Sequence, residues 1–236
     1  MELVLNCITW NKYLPEQYLW ETNCGYHAFR NGYIMYNIIN KINYKNYHDY
    51  VNNIIKNKNF KNLLNKKNLR KDLLKYMNEY NNQSRINSNQ LNRLVNKYQN
   101  NKNIFAVYPL EDIYTPNLSK KFNNDMKKKN MTYCFLTYRS LPPLFTHWVP
   151  IIIDKKGKNI FIHIIDSFNL VFSGDKCINK LIDKLLCNYN IINKCKNFRT
   201  PGKIITYTSK FKIFCELVLA MCVISKIFIL YFLKKN

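Results

Sequence analysis

The 236-residue sequence predicts an α+β fold, with a cysteine-bearing helix near the N-terminus, a helical insertion, and an antiparallel sheet in the C-terminal half. Three observations carry this expectation. Apolar residues recur at helical spacing between residues 24 and 98. Four strand-like runs follow between 104 and 166. Two of those runs flank a short glycine-containing turn. With 47% apolar and 15% aromatic residues and only 5 Gly and 7 Pro, the chain is neither disordered nor collagen-like, and it is long enough to bury a core.

In chain order, Ala28, Phe29, Tyr33, Ile34, Tyr36, Ile38 and Ile39 mark a buried helix that starts near Cys24, with Thr22 or Asn23 as N-cap. Residues 41–103 read as a basic Asn/Lys-rich helical insertion. Val51, Ile54 and Ile55, then Leu69, Leu73, Tyr76 and Met77, keep a 3.6 period. Ser88 is placed to cap a helix carrying Leu91, Leu94, Val95 and Tyr98, and the joints 81–83 and 100–103 read as loops. Strands are expected over 104–108, 131–138, 147–154 and 160–166, and a helix over 177–189. Residues 213–233 form an apolar C-terminal helix broken by Glu216, Ser225 and Lys226. Its length meets the spanning requirement, yet its two charges can share one narrow polar stripe, so a core helix and a membrane anchor both fit.

Lys and Arg number 37 against 14 acids, a net charge of +23. Residues 41–130 hold 19 basic and 6 acidic residues, +13 of that total. Lys, Asn, Ile and Tyr share A/T-rich codons, so the excess is read first as a solvated basic surface. Nucleic-acid binding is not supported beyond net charge, because no aromatic–basic motif accompanies it. The eight cysteines contain no C-x-x-C pair and no zinc-ribbon spacing, so no metal and no cofactor is implied. The N-terminal residues lack a signal-peptide pattern, which leads to the expectation of free thiols and a cytoplasmic or nuclear location, the alternative being membrane association through 213–233.

The chemistry is expected at a hairpin. Residues 147–154 and 160–167 read His-Trp-Val-Pro-Ile-Ile-Ile-Asp and Ile-Phe-Ile-His-Ile-Ile-Asp-Ser around Lys156-Gly157. A turn centred there pairs 153 with 160, 151 with 162, 149 with 164, and His147 with Asp166 on one face. At cross-strand distance a carboxylate can orient an imidazole and stabilise its protonated form. His163 falls on the other face and reads as structural, and His48-Asp49 as surface. Cys24 is the best-placed nucleophile. It stands where a loop enters a helix, Gly25 lets backbone approach a substrate, and a helix N-terminus and a nearby imidazolium both favour a thiolate. Cys177 and Cys187 sit on a Lys-rich helix, and Cys215 and Cys222 in the apolar tail.

The order Cys, then His-Trp, then Asp-Ser resembles papain-like-fold cysteine peptidases. Asn23-Cys24-Gly25-Tyr26-His27-Ala28 is similar to the nucleophile box of ubiquitin and ubiquitin-like deconjugating enzymes. His147-Trp148 and Ile165-Asp166-Ser167 resemble the signature of the Ulp/SENP (SUMO protease) type, whereas the Cys-first order is that of Josephin-type deubiquitinases, which also insert helices after the Cys helix. The resemblance covers roughly residues 18–40 and 131–170. It implies one cysteine-peptidase-like domain over 1–236, with Cys24 as nucleophile, His147 as general base and acid, and Asp166 as its orienter. Gln17, or in its place Asn23, would supply the oxyanion-hole amide, although Gln17 lies slightly farther from Cys24 than the pattern expects. Asn23, Gly25 and Trp148 would contact substrate, Trp148 walling a channel for its tail. The expected activity is thiol peptidase or isopeptidase cleavage of conjugates of ubiquitin or a ubiquitin-like modifier. The alternatives are a non-catalytic basic binding protein of the same fold and a tail-anchored membrane protein.

Overall fold

The first strand is one the sequence reading did not assign. Leu3–Thr9 (β1) is an apolar run, buried at most positions, and it lies inside the sheet. It appears in a computed structural model that describes residues 3–10, 13–15, 23–80, 86–98, 103–107, 116–141, 145–167, 186 and 191–192. The chain divides into two compact units, Met1–Pro201 and Gly202–Asn236. The described residues all belong to the first unit. Among them no helix is long and apolar enough to cross a membrane. Residues 213–233 lie outside the described residues. So does 177–189, apart from the buried helical Leu186.

After β1 come α1 (Cys24–Ile39), α2 (Tyr47–Lys56), α3 (Lys58–Leu64), α4 (Lys66–Asn78) and α5 (Ser88–Tyr98). Then follow β2 (Ile104–Val107), α6 (Pro116–Met126), β3 (Asn130–Leu141), β4 (Phe145–Lys156), β5 (Asn159–Ile164) and the two-residue β6 (Ile191–Ile192). The mixed α+β class is as expected; α6, opened by Pro116 at its first position, is not foreseen. The sheet order is β2-β3-β4-β5-β1-β6. Only β3, β4 and β5 pair antiparallel; β2 runs parallel to β3, and β1 parallel to β5 and β6. The purely antiparallel C-terminal sheet therefore needs correction, since its flanks are parallel and one of them is N-terminal. Parallel strands need cover on both faces, and this sheet has it. Trp10, Phe29, Leu136, Trp148 and Ile152 belong to a core on one face, shared with α1 to α5. Phe122 and Met126 of α6 join Tyr133, Phe135, Val149, Ile151 and Ile162 on the other.

The asparagine-rich joints have a structural task. Asn46, Asn57 and Asn65 each accept backbone N–H groups at the start of α2, α3 and α4. Asn87 and Gln90 bond reciprocally at the start of α5, so the cap is Asn87 and Ser88 is the first helical residue. Buried Arg30 ties α1 to this insertion, donating to Asp72 Oδ2 at 2.7 Å and to the Leu63 carbonyl at 3.0 Å. Asn92 of α5 bonds both the N–H and the C=O of Ala106 on β2. Gly32 lets α1 lie close on the sheet, because a Cβ there would meet Leu136 Cδ2 at 2.8 Å.

The β4–β5 hairpin closes through Gly157-Lys158, two residues between the paired Lys156 and Asn159. Gly157 has φ +62°, as the first central position of such a turn demands. The pairs are Ile153 with Ile162 and Ile151 with Ile164, two residues off the expected register. An even shift leaves every side chain on its expected face. It also ends β5 before Asp166, so His147 and Asp166 are not ladder partners. The chain beyond β5 is held to β4 by the Ile165 N–H, which donates to the Pro150 carbonyl at 3.0 Å.

Candidate active site

Cys24 is the first residue of α1 and is partly exposed. His147, near the start of β4, and Asp166, just past β5, are 1% and 2% exposed. His147 Nε2 and Asp166 Oδ1 are 2.7 Å apart, and the Cys24 side chain acts electrostatically on the same ring. Three residues separated by up to 142 positions thus meet where the N-terminus of one helix abuts two strand ends. Burial by itself would lower the pKa of His147. The bond to Asp166 and the interaction with Cys24 outweigh it and raise the pKa above the ordinary imidazole value.

Asn23 stands at the N-cap of α1 (φ −93°, ψ 19°), yet its side chain makes no capping hydrogen bond. Its carbonyl accepts the Tyr26 and His27 N–H groups. The Cys-bearing helix is thus begun differently from α2 to α5, whose opening asparagines all cap through their side chains. Gly25 is buried, and a Cβ there would fall 2.0 Å from Ile86 Cγ2 and 3.3 Å from Trp148 Cδ1. Its bareness is required by packing. Trp148 is 3% exposed and meets Tyr138 edge to face at 5.1 Å, so it helps form the wall under the helix start. Gln17 lies outside the described residues.

Sequence reasoning missed two neighbours. Ile86 closes over Gly25 from the segment before α5. His27, one turn after Cys24, is 2% exposed, and burial helped by the charges of Arg30 and His147 pushes its pKa down to about 3. The i, i+3 spacing from Cys24 is a signal that could have found it.

His163 is on the opposite face, as expected, in a separate buried chain of hydrogen bonds. Trp10 Nε1 donates to His163 Nδ1 at 2.9 Å, which fixes the proton of the neutral ring on Nε2. Nε2 meets Tyr50 Oη at 2.9 Å; Tyr50 donates to Asp154 Oδ2 at 2.8 Å, and Thr132 to Asp154 Oδ1 at 2.6 Å. Burial pushes the His163 pKa down to about 3. His48 is exposed and Asp49 accepts the Lys45 N–H, both at the surface of α2.

The expectation of free thiols is overturned at one position. Cys7 is disulfide-bonded, while Cys24 and Cys134 are free and burial pushes the Cys134 thiol well up. Among the described residues no cluster of His, Cys, Asp and Glu is arranged to hold a metal ion. A thiol, an imidazole and a carboxylate in series form the arrangement that activates a sulfur nucleophile and returns its proton to a leaving group. Comparison of the chain with protein-family models, with curated proteins and with solved structures finds no match.

Proposed function

We propose that the chain is a papain-like-fold thiol hydrolase whose Cys24, His147 and Asp166 cleave the bond joining ubiquitin or a ubiquitin-like modifier to its conjugate. The observation that carries the reading is the meeting of Cys24, His147 and Asp166 at one helix start. The substrate class rests on the likeness of residues 23–28, 147–148 and 165–167 to deconjugating enzymes.

With Nε2 held by Asp166, Nδ1 of His147 is the nitrogen that exchanges a proton with the thiol. The Cys24 sulfur attacks the scissile carbonyl, forming a C–S bond. The carbonyl oxygen becomes an oxyanion next to the first-turn N–H groups of α1, which the Asn23 side chain does not cap. The C–N bond breaks as His147 passes its proton to the leaving amine. Water, deprotonated by His147, attacks the thioester; the C–S bond breaks, the acid leaves and the thiol is restored. Asp166 keeps the ring oriented throughout and stabilises its charged form.

Modifiers carrying C-terminal thiol-reactive groups test this directly. The expected result is a covalent adduct with one modifier that vanishes in Cys24→Ala. Folded protein that gives no adduct with any of the panel removes the modifier from the reading. Alkylation of Cys24 by iodoacetamide no faster than that of free cysteine would remove the thiol chemistry as well. A second reading, a non-catalytic binding protein of the same fold, draws on the exposed cations of the insertion. Full biological activity of Cys24→Ala would favour it.

A further inference from the structure

Helix α4 commits one face, Leu73, Tyr76 and Met77, to the core. Its outer face carries Lys66, Lys67, Arg70 and Lys71, all exposed. Among them stands Leu74, 52% exposed and the one exposed large apolar side chain among the described residues. Helical spacing surrounds Leu74 with Lys67 two turns before it, Arg70 and Lys71 one turn before, and Asn78 one turn after. The single carboxylate of α4, Asp72, turns away to Arg30. The other acids of the insertion are engaged too: Asp49 with the Lys45 N–H, Glu79 with Lys97 and Tyr98 Oη. Like charges therefore face one another at Lys66/Arg70 and Lys67/Lys71, four residues apart, with no described carboxylate paired to them.

We propose that the outer face of α4 docks a protein partner whose surface offers an apolar socket ringed by carboxylates, with Leu74 as the anchor and Lys67, Arg70 and Lys71 as the rim. An apolar anchor inside a charged margin is the anatomy of a protein interface. A nucleic acid would use the cations and leave Leu74 without a partner. A membrane surface needs a continuous apolar helix face, and that of α4 is already buried. The partner's carboxylates would relieve the repulsion that the fold leaves standing. This inference does not depend on the chemistry at Cys24.

A random peptide library panned on the full-length chain at physiological salt tests it, with oligo-dT and phosphatidylserine vesicles titrated in parallel. The expected winners place Asp or Glu around one large apolar residue. Their synthetic copies should bind Leu74→Ser at least about fivefold more weakly than the parent chain, as truncation of an interface anchor does. They should bind the Lys67→Glu, Arg70→Glu, Lys71→Glu triple variant more weakly still. Both variants should keep the parent's thermal unfolding and circular dichroism, since the altered side chains are exposed. The proposal is overturned if no peptide is enriched, or if the winners bind Leu74→Ser as well as the parent. It is overturned equally if oligo-dT or vesicles bind the face more tightly than any peptide does.

Discussion

His147 and His163 sit on adjacent strands of one hairpin, both buried and both close to an acid, and their pKa values are pushed in opposite directions. His147 touches Asp166 directly, and that contact together with the Cys24 thiol raises its pKa against the effect of burial. His163 reaches Asp154 only through the Tyr50 hydroxyl, and Trp10 fills its other nitrogen with a donor, so burial takes its pKa down to about 3. Proximity to a carboxylate does not make an imidazole reactive. What matters is which atoms touch, and whether a second nitrogen is left to face something that can give up a proton.

The sharpest way to break this comparison is to remove each ring in turn. His147→Ala should lower probe labelling of Cys24 by roughly a thousandfold or more, within the range expected of acid–base catalysis, and should also cost stability, because buried Asp166 loses its bond to the ring. His163→Ala should cost stability while leaving the labelling near that of the parent chain. Asp166→Asn leaves burial as the main influence on His147. Turnover should then drop roughly a hundredfold, and the alkaline limb of kcat/KM, expected above 6.5 in the parent chain, should move to lower pH; a limb that stays in place means that Asp166 does not set the protonation of the ring.

The same opposition predicts a pH dependence of stability. His163 and His27 have folded pKa values of about 3, below the unfolded value. They lend stability above about pH 6.5 that is lost as the pH falls toward 3, at up to about 1.4 kcal/mol per pH unit for each ring. His147, raised, contributes with the opposite sign, fully below about pH 6.5 and less as the pH rises through its folded value. Denaturant titrations between pH 7 and 4 should show the loss, and in His163→Phe the slope should fall by about one proton.

Smaller changes probe the links of the His163 chain. Tyr50→Phe leaves Asp154 and His163 each short of a partner and should cost about 1–3 kcal/mol of stability without altering Cys24 labelling. Thr132→Val removes a single donor to Asp154 and should cost about 1 kcal/mol in the same assay.

Much of the candidate site was legible because its signals are local and the parity of strands is forgiving. The His-Trp and Asp-Ser pairs flank an apolar hairpin, and moving the turn from Lys156-Gly157 to Gly157-Lys158 shifts the register by two without turning any side chain over. What sequence could not show is what long-range packing decides. Leu3–Thr9 is an apolar run without a period, and only its place beside β5 makes it a strand. Gly25 read as room for a substrate, yet Ile86, 61 residues away, fills that room. The asparagines between helices read as loop residues, and their cap bonds become visible only once the helix starts are fixed. Asn23 shows the limit of the pattern, because the same residue type at the same place begins α1 without capping it.

The paired bonds from Asn92 to Ala106 carry a consequence for the free margin of the sheet. Among the described strands β2 is the outermost on its side, where an open row of amides and carbonyls would recruit further strands. The Asn92 carboxamide offers one acceptor and one donor at the spacing of a backbone unit, so it stands where the next strand's peptide would dock. One side chain thereby occupies the backbone pair at Ala106 that an added strand would otherwise use.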